Sequence, residues 1–159
     1  MSPSRLWAPW RAPYITRLGR RPLRGCLFCR ARRATNDRRH WVVHRGRHAF
    51  VLLNLYPYNN GHLLIAPLRH VATLAELKEA EMLELWHLAT QFMQRLDQHL
   101  APHGYNVGFN LGRPAGAGIL GHLHLHIVPR WDGDTNFMSV TAGTKVISMS
   151  LDQLYRLLV

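Results

Sequence analysis

No apolar run approaches the roughly 18 residues needed to cross a bilayer, and the first residues lack the apolar block of a secretion signal. A cytoplasmic protein with no membrane partner is expected. Cysteine is scarce: Cys26 and Cys29 form one Cys-x-x-Cys pair, which excludes a disulfide framework. Lysine and acids are scarce too, with two Lys and nine Asp plus Glu against 18 Arg. The shortage of acids is uneven. Residues 1–50 hold 13 Arg and the single acid Asp37, a local +12, whereas the rest of the chain sums to −1. Arginine's planar fork suits bidentate phosphate contact, so the basic third reads either as a polyanion-contacting segment or as a solvated surface. The arginines alternate with loop breakers and form no recognition helix, so nucleic acid is not expected as the main partner. Repeats and low-complexity tracts are absent. With 159 residues, 47% of them hydrophobic, one domain spanning 1–159 is expected, with 1–40 as a basic N-terminal arm carrying the cysteine pair.

What the chain does have is Gly121-His122-Leu123-His124-Leu125-His126-Ile127-Val128-Pro129-Arg130-Trp131. A strand repeats its side-chain direction every two residues, so His122, His124 and His126 should leave one sheet face in a row while Leu123, Leu125 and Ile127 enter a core. Pro129, with no N–H to donate, should end the ladder. Three imidazoles on one face need partners, which points to a site more than to a polar surface.

Around this stretch, Leu6 to Ile15 has too many prolines for a helix and too many aromatics for a disordered tail, and reads as an extended, docked arm. Between Arg17 and Arg39 the sequence is aperiodic, a loop with one local knot at Gly25-Cys26-Leu27-Phe28-Cys29. Trp41–His44 and His48–Leu53 flank Arg45-Gly46-Arg47 as a hairpin. A third strand follows at His62–Ala66, stopped by Pro67, and Thr73–Glu76 has capping-box spacing. From Glu79 to Leu100, Met82, Leu85, Trp86, Ala89, Phe92, Met93, Leu96 and Leu100 recur at helical period. Tyr105–Asn110 reads as a strand, Gly112–Gly118 as a glycine-rich loop whose N–H groups can approach an anion, and Leu151–Leu158 as a short closing helix. Some strand links are too short for parallel crossovers, so the fold class is α+β, with an antiparallel sheet of about five strands and one long helix.

The alternating His122-Leu123-His124-Leu125-His126-Ile127-Val128, the upstream Gly61-His62-Leu63-Leu64-Ile65-Ala66-Pro67, and Asn110 before a glycine-rich loop resemble the histidine triad (HIT) superfamily of nucleotidyl hydrolases and transferases. Trp7-Ala8-Pro9-Trp10-Arg11 and Pro129 to Met138 look like its branch of prokaryotic diadenosine tetraphosphate phosphorylases. The resemblance implies a HIT-like fold, often homo-oligomeric, acting on an adenine nucleotide. It implies that His124 attacks an α-phosphate to form a nucleotidyl-histidine, that His126 serves the departing oxygen, and that His62 orients the strand. A neutral imidazole suits that attack near pH 7. The expected reaction is diadenosine tetraphosphate plus phosphate to ADP and ATP. A dinucleoside polyphosphate hydrolase or a nucleoside phosphoramidase is the near alternative, and an inactive sensor or a polyanion-binding module the remoter ones.

By the same resemblance Asn54 falls at the ribose and Asn110 at phosphate, and Gly116 to Gly118 supply backbone donors. Many members carry Gln and then Ser or Thr where this chain has Gly118 and Ile119, so phosphate contacts must come from backbone, Arg113, Arg130 or elsewhere. Asn54 also reads as a turn former after a strand, and Trp131 either stacks on a base or packs in the core. A Cys-x-x-Cys pair is half of a tetrahedral zinc site, and the resemblance supplies His70 and His122 as the other half. In that case His122 leaves the reaction and zinc ties the arm to the catalytic strand; two unliganded thiols are the alternative.

Overall fold

The computed structural model describes residues 25–135 and 145–159. The arm expected at Leu6–Ile15 and the Asn136–Met138 segment lie outside these. Two short helices, α1 (Leu27–Arg33) and α2 (Asp37–His40), precede strands β1 (Val42–Arg45), β2 (Ala49–Leu53) and β3 (Leu63–Pro67). A single 3-10 turn at Leu74–Glu76 leads to α3 (Glu79–Leu100), then β4 (Gly104–Phe109), β5 (Leu125–Arg130) and α4 (Leu151–Leu158). The strands form one antiparallel sheet in the order β1-β2-β3-β5-β4. None of the described helices is long and apolar enough to cross a membrane.

The sheet has two differently used faces. On one, Val51, Leu53, Ile65, Leu125 and Ile127 pack against Leu85, Ala89, Phe92 and Leu96 of α3 and Leu154 and Leu158 of α4. Each fully buried side chain of this kind contributes about 1.5–3 kcal/mol, so this is the main core. On the other face Val42, Phe50, Leu52, Leu64 and Ala66 meet Phe28 and Ala31 of α1. This smaller cluster ends where the histidines begin.

α3 has the limits its periodicity predicts, but its stripe is rotated: Trp86 is 46% exposed and Leu88 is buried. One residue turns a helix by 100°, so with the fully buried Leu85 and Phe92 centred on the sheet, Leu88 lies about 50° from that centre and falls inside, while Trp86 lies about 110° from it and falls outside. Three other expectations change. The Leu27–Arg33 segment is helical; at seven residues α1 is too short to show a period, and only Phe28 and Ala31, three apart, are buried. Ladder pairing of β5 starts at Leu125, so His122 and His124 lie in the chain entering the strand. Pro67 is the last residue of β3, as expected, whereas Pro129 does not stop β5, which continues to Arg130. β3 pairs with β5 only over Leu125–Ile127, whereas β4 continues to Arg130. On the open side at Pro129 a missing N–H costs no ladder bond.

Two local devices aim chain segments at the histidine face. Buried Glu81 in the first turn of α3 accepts the Lys78 amide at 2.8 Å and pairs with Arg69 at 2.6 Å. That pair fastens the segment bearing His70, and the Arg69 hydrogen bonds hold the Glu81 carboxyl down at about 2. At the turn before β3, Gly61 has φ +73°, and a Cβ there would come within 2.9 Å of Leu100 Cδ1 and Pro129 Cγ. Only glycine fits both constraints.

Candidate active site and metal centre

The hydrogen bonds of the four buried histidines assign each ring its tautomer. Backbone N–H of Tyr58 donates to His62 Nδ1 at 2.9 Å, so His62 carries its proton on Nε2. That Nε2 lies 2.9 Å from His126 Nδ1, which must therefore accept. The His126 proton is left on Nε2, the buried side-chain atom among the described residues that has no hydrogen-bond partner. On His124 the assignment is opposite in effect: Nδ1–H donates to the His122 carbonyl at 2.8 Å, leaving the Nε2 lone pair available. Two adjacent imidazoles, with ring centroids 4.9 Å apart, thus present one lone pair and one N–H. Such a pair can attack an electrophile and hydrogen-bond the group that leaves.

His122 does something different. Its Nε2–H donates to the Pro67 carbonyl at 2.8 Å, so its Nδ1 is the ligating nitrogen. Nδ1 lies 3.3 Å from Cys26 Sγ, 3.7 Å from Cys29 Sγ and 3.2 Å from His70 Nδ1, while Cys29 Sγ is 3.3 Å from His70 Nδ1. All four donor atoms lie within 4.8 Å of one another. A tetrahedral zinc with two thiolates and two imidazoles has donor–donor edges of roughly 3.3–3.8 Å, given its bond lengths. The residues fit that group. Burial raises the Cys26 thiol above its ordinary value, so a thiolate there needs the compensation a cation supplies. The carbonyl side of His122, meanwhile, holds His124, and Phe28, fully buried between the two cysteines, packs on both rings at 5.0 and 4.9 Å. The metal-ligand cluster and the His124 ring therefore share a support.

A cavity of ≈ 510 Å³ opens over His124 and His126. Leu52, Leu53 and Asn54 of β2 and its continuation form one wall, Leu27, Arg30 and Ala31 of α1 another, and Gly116, Gly118 and Ile119 the rim, with Arg39, His40 and Trp41 at the far end. The register Val42↔Leu52↔Leu64↔His126 crosses three strand spacings. At about 4.8 Å each, the far end is roughly 14 Å from His126. Asn54 Oδ1 accepts the Tyr56 amide at 2.9 Å, so it forms the turn and lines the cavity at once.

Not every residue singled out from the sequence converges there. Asn110 lines a neighbouring cavity of ≈ 270 Å³ that also reaches Ile119, His122 and His124, and its Nδ2 donates to the Tyr58 hydroxyl at 3.3 Å. Trp131 donates its indole N–H to the Leu100 carbonyl at 3.2 Å and lines neither cavity. Arg130 binds Asp134 at 2.6 Å and Asn106 at 2.7 Å, so it is occupied elsewhere. Phe28, Tyr58, Arg30 and Arg39 were not legible as site residues. The only signals were the position of Phe28 between two cysteines and that of Tyr58 four residues before His62.

Burial, and secondarily the neighbouring imidazoles, push His62 down to about 3 and His126 to about 4; burial also lowers His124. The neutral forms required by the hydrogen-bond chain are thus the stable ones in the fold. Because the folded values lie below the unfolded value near 6.5, the unfolded chain takes up protons first as pH falls. The stability these groups contribute is complete above about pH 6.5 and is lost on acidification toward 3–4. Denaturant midpoints should therefore fall between pH 6.5 and 5, above the carboxylate range, by on the order of 1–2 kcal/mol each for His62 and His126. Midpoints that stay flat over that interval contradict the assignment.

An antiparallel α+β sheet that turns an imidazole lone pair and an imidazole N–H into one cavity defines a histidine-centred site. Residues 36–133 match the HIT domain, and the chain belongs to the HIT family. It is 39% identical over 159 residues to a protein of Mycobacterium tuberculosis named AP-4-A phosphorylase, covering 97% of this chain and 82% of that one. A bis(5'-adenosyl)-triphosphatase of Dictyostelium discoideum is 33% identical over 82 residues, 52% of this chain and 54% of that protein. Among solved structures, a Zn-bound histidine triad family protein from Mycobacterium smegmatis shares the fold with a TM-score of 0.67 at 22% identity, covering 84% of this chain and 90% of that one.

Proposed function

We propose that the protein splits dinucleoside polyphosphates, diadenosine tetraphosphate foremost, transferring the nucleotidyl group through His124 to inorganic phosphate. The observation that carries this is the tautomer chain, which leaves His124 Nε2 a lone pair and His126 Nε2 an unpartnered N–H at the floor of one cavity. His124 Nε2 attacks the α-phosphorus; the P–O bond to the remaining triphosphate breaks and its electron pair leaves on ATP. The His126 N–H hydrogen-bonds that oxygen as its charge grows, an interaction strongest in the transition state. In the second step a phosphate oxygen attacks the same phosphorus, the P–N bond returns its pair to His124, and ADP departs. Phosphate brings an anionic oxygen and so requires no base, whereas water must lose a proton. No carboxylate among the described residues lines the cavity.

The cavity length of roughly 14 Å suits one nucleoside lying across β3, β2 and β1, with Asn54 beside its ribose and Gly116, Gly118 and Asn110 toward phosphate. Arg30 and Arg39 place positive charge on the same walls, so part of the basic excess serves a polyanionic substrate. Cys26, Cys29, His70 and His122 hold zinc, which neutralises the thiolates and braces the entry to β5. Incubation with diadenosine tetraphosphate should give ADP and ATP only when phosphate is present. AMP formed at the same rate without phosphate would replace this reading with the hydrolase one, which the triphosphatase relative keeps in view.

A further inference from the structure

Asn59 belongs neither to the cavity nor to the metal cluster, yet it is 3% exposed. A buried side-chain amide is costly unless its hydrogens are used, and both are. Nδ2 donates to the Pro129 carbonyl at 3.0 Å and to Asp134 Oδ2 at 2.8 Å. The Asp134 side chain is only 6% exposed, and the Arg130 guanidinium, with Lys145 beyond it, holds its carboxyl far below the ordinary carboxylate range, so the acceptor is a carboxylate. The Asn59 backbone carbonyl accepts the His62 amide at 3.3 Å, closing the turn whose Gly61 cannot shift against Leu100 and Pro129.

These bonds join two pieces of chain that must stay in register. Pro129 lies three residues beyond His126 on β5, and Tyr58 immediately precedes Asn59. Clamping Asn59 to β5 therefore fixes where the Tyr58 N–H points, which is at His62 Nδ1, and fixes His62 against His126 at 2.9 Å. The same clamp seats the Tyr58 ring parallel to the His126 ring, 8° from coplanar. The direction of the proton chain depends on that amide. In the reversed pair His126 Nδ1–H would donate to His62 Nε2, and His62 Nδ1–H would then face the Tyr58 N–H, donor against donor. Reversal would also leave a lone pair on His126 Nε2, which repels a departing oxygen.

We propose that Asn59 is a positioning residue for the transfer reaction: its clamp on β5 aims the Tyr58 amide that keeps His62 and His126 in the tautomers leaving an N–H on the cavity floor. This rests on the reading that His126 serves the leaving oxygen. In Asn59→Ala the amide is free to swing, the His62–His126 pair becomes a mixture, and the leaving group loses an aligned donor. Misalignment of this kind costs on the order of 10- to 100-fold in kcat, with KM changed far less because Tyr58 is the one cavity-lining residue that the clamp seats.

The test uses the full-length protein. Nitrogen-15 spectra of the free enzyme should show single Nε2–H tautomers for His62 and His126 in the wild type and mixed ones in Asn59→Ala, with His124 unchanged. Asp134→Asn keeps an oxygen acceptor for Asn59 but breaks the charge pairing to Arg130, so it should lose thermal stability while keeping both tautomers and kcat within about twofold. Asn59→Ser, which retains one donor, stands in if the alanine variant is too unstable, with an intermediate kcat expected. A kcat within twofold of wild type in both Asn59 variants overturns the proposal, and so does a loss of kcat with unchanged His62 and His126 spectra. Wild-type inactivity toward dinucleotides overturns the proposed function instead, and the free-enzyme spectra remain a direct reading of the clamp.

Discussion

His124→Ala should abolish nucleotidyl transfer, lowering kcat by at least about 10⁴-fold, because it deletes the atom that forms the covalent intermediate. The effect should be one of chemistry and not of folding. His124 sits at the cavity floor, its Nε2 donates to nothing, and its one structural hydrogen bond goes to the adjacent His122 carbonyl. The Phe28 contact at 4.9 Å is the main packing lost. Brief exposure to radiolabelled diadenosine tetraphosphate without phosphate should leave acid-labile, base-stable label on the wild type and none on the variant. His126→Ala should still take up label, more slowly, since its contribution is to the leaving oxygen. Label retained in His124→Ala, or a fall in kcat of less than about 100-fold, would move the nucleophile elsewhere.

Loss of the metal-ligand set should have the largest effect on stability. Cys29→Ser removes one of four donors, and the remaining groups are a half-buried thiol and two imidazoles that no longer share a cation. The expected outcome is purified wild type with one zinc per chain and a variant with little, accompanied by a destabilisation of about 3 kcal/mol or more. For a chain of this size that is roughly 6–12 °C in Tm. Because His122 presents its ring to the ligand cluster and its carbonyl to His124, the zinc-free protein should also lose transfer activity while still binding nucleotide. Wild-type protein that contains no zinc after purification without chelators, and whose Tm is unmoved by Cys29→Ser, would leave the cysteines as plain thiols.

Much of this architecture is legible in the sequence alone. The span of α3, the β1–β2 hairpin and α4 follow from periodicity and turn residues, since amphipathic repeats and glycine turns act over a few residues. The α+β class with an antiparallel sheet of five strands follows from link lengths. What escaped was short or non-periodic: α1, whose seven residues carry too little pattern, and the chain entering β5, where the histidines alternate without ladder pairing. Pro129 misled because the cost of a missing N–H depends on whether a neighbouring strand lies on that side, and that is a property of the sheet.

By itself the sequence determined which groups were available: three histidines spaced by two, a fourth before β3, a cysteine pair and a glycine-rich loop, with an acid-poor first third. It could not give the histidines separate identities, because alternation only puts them on one face. The tertiary structure decided that. Pro67, 55 residues from His122 in the chain, takes the Nε2–H and turns Nδ1 toward the cysteines. The Tyr58 amide, 68 residues from His126, sets through His62 which nitrogen of His126 faces the cavity. A hydrogen bond to one ring nitrogen dictates the proton on the other, and those partners are brought within 3 Å only by the fold.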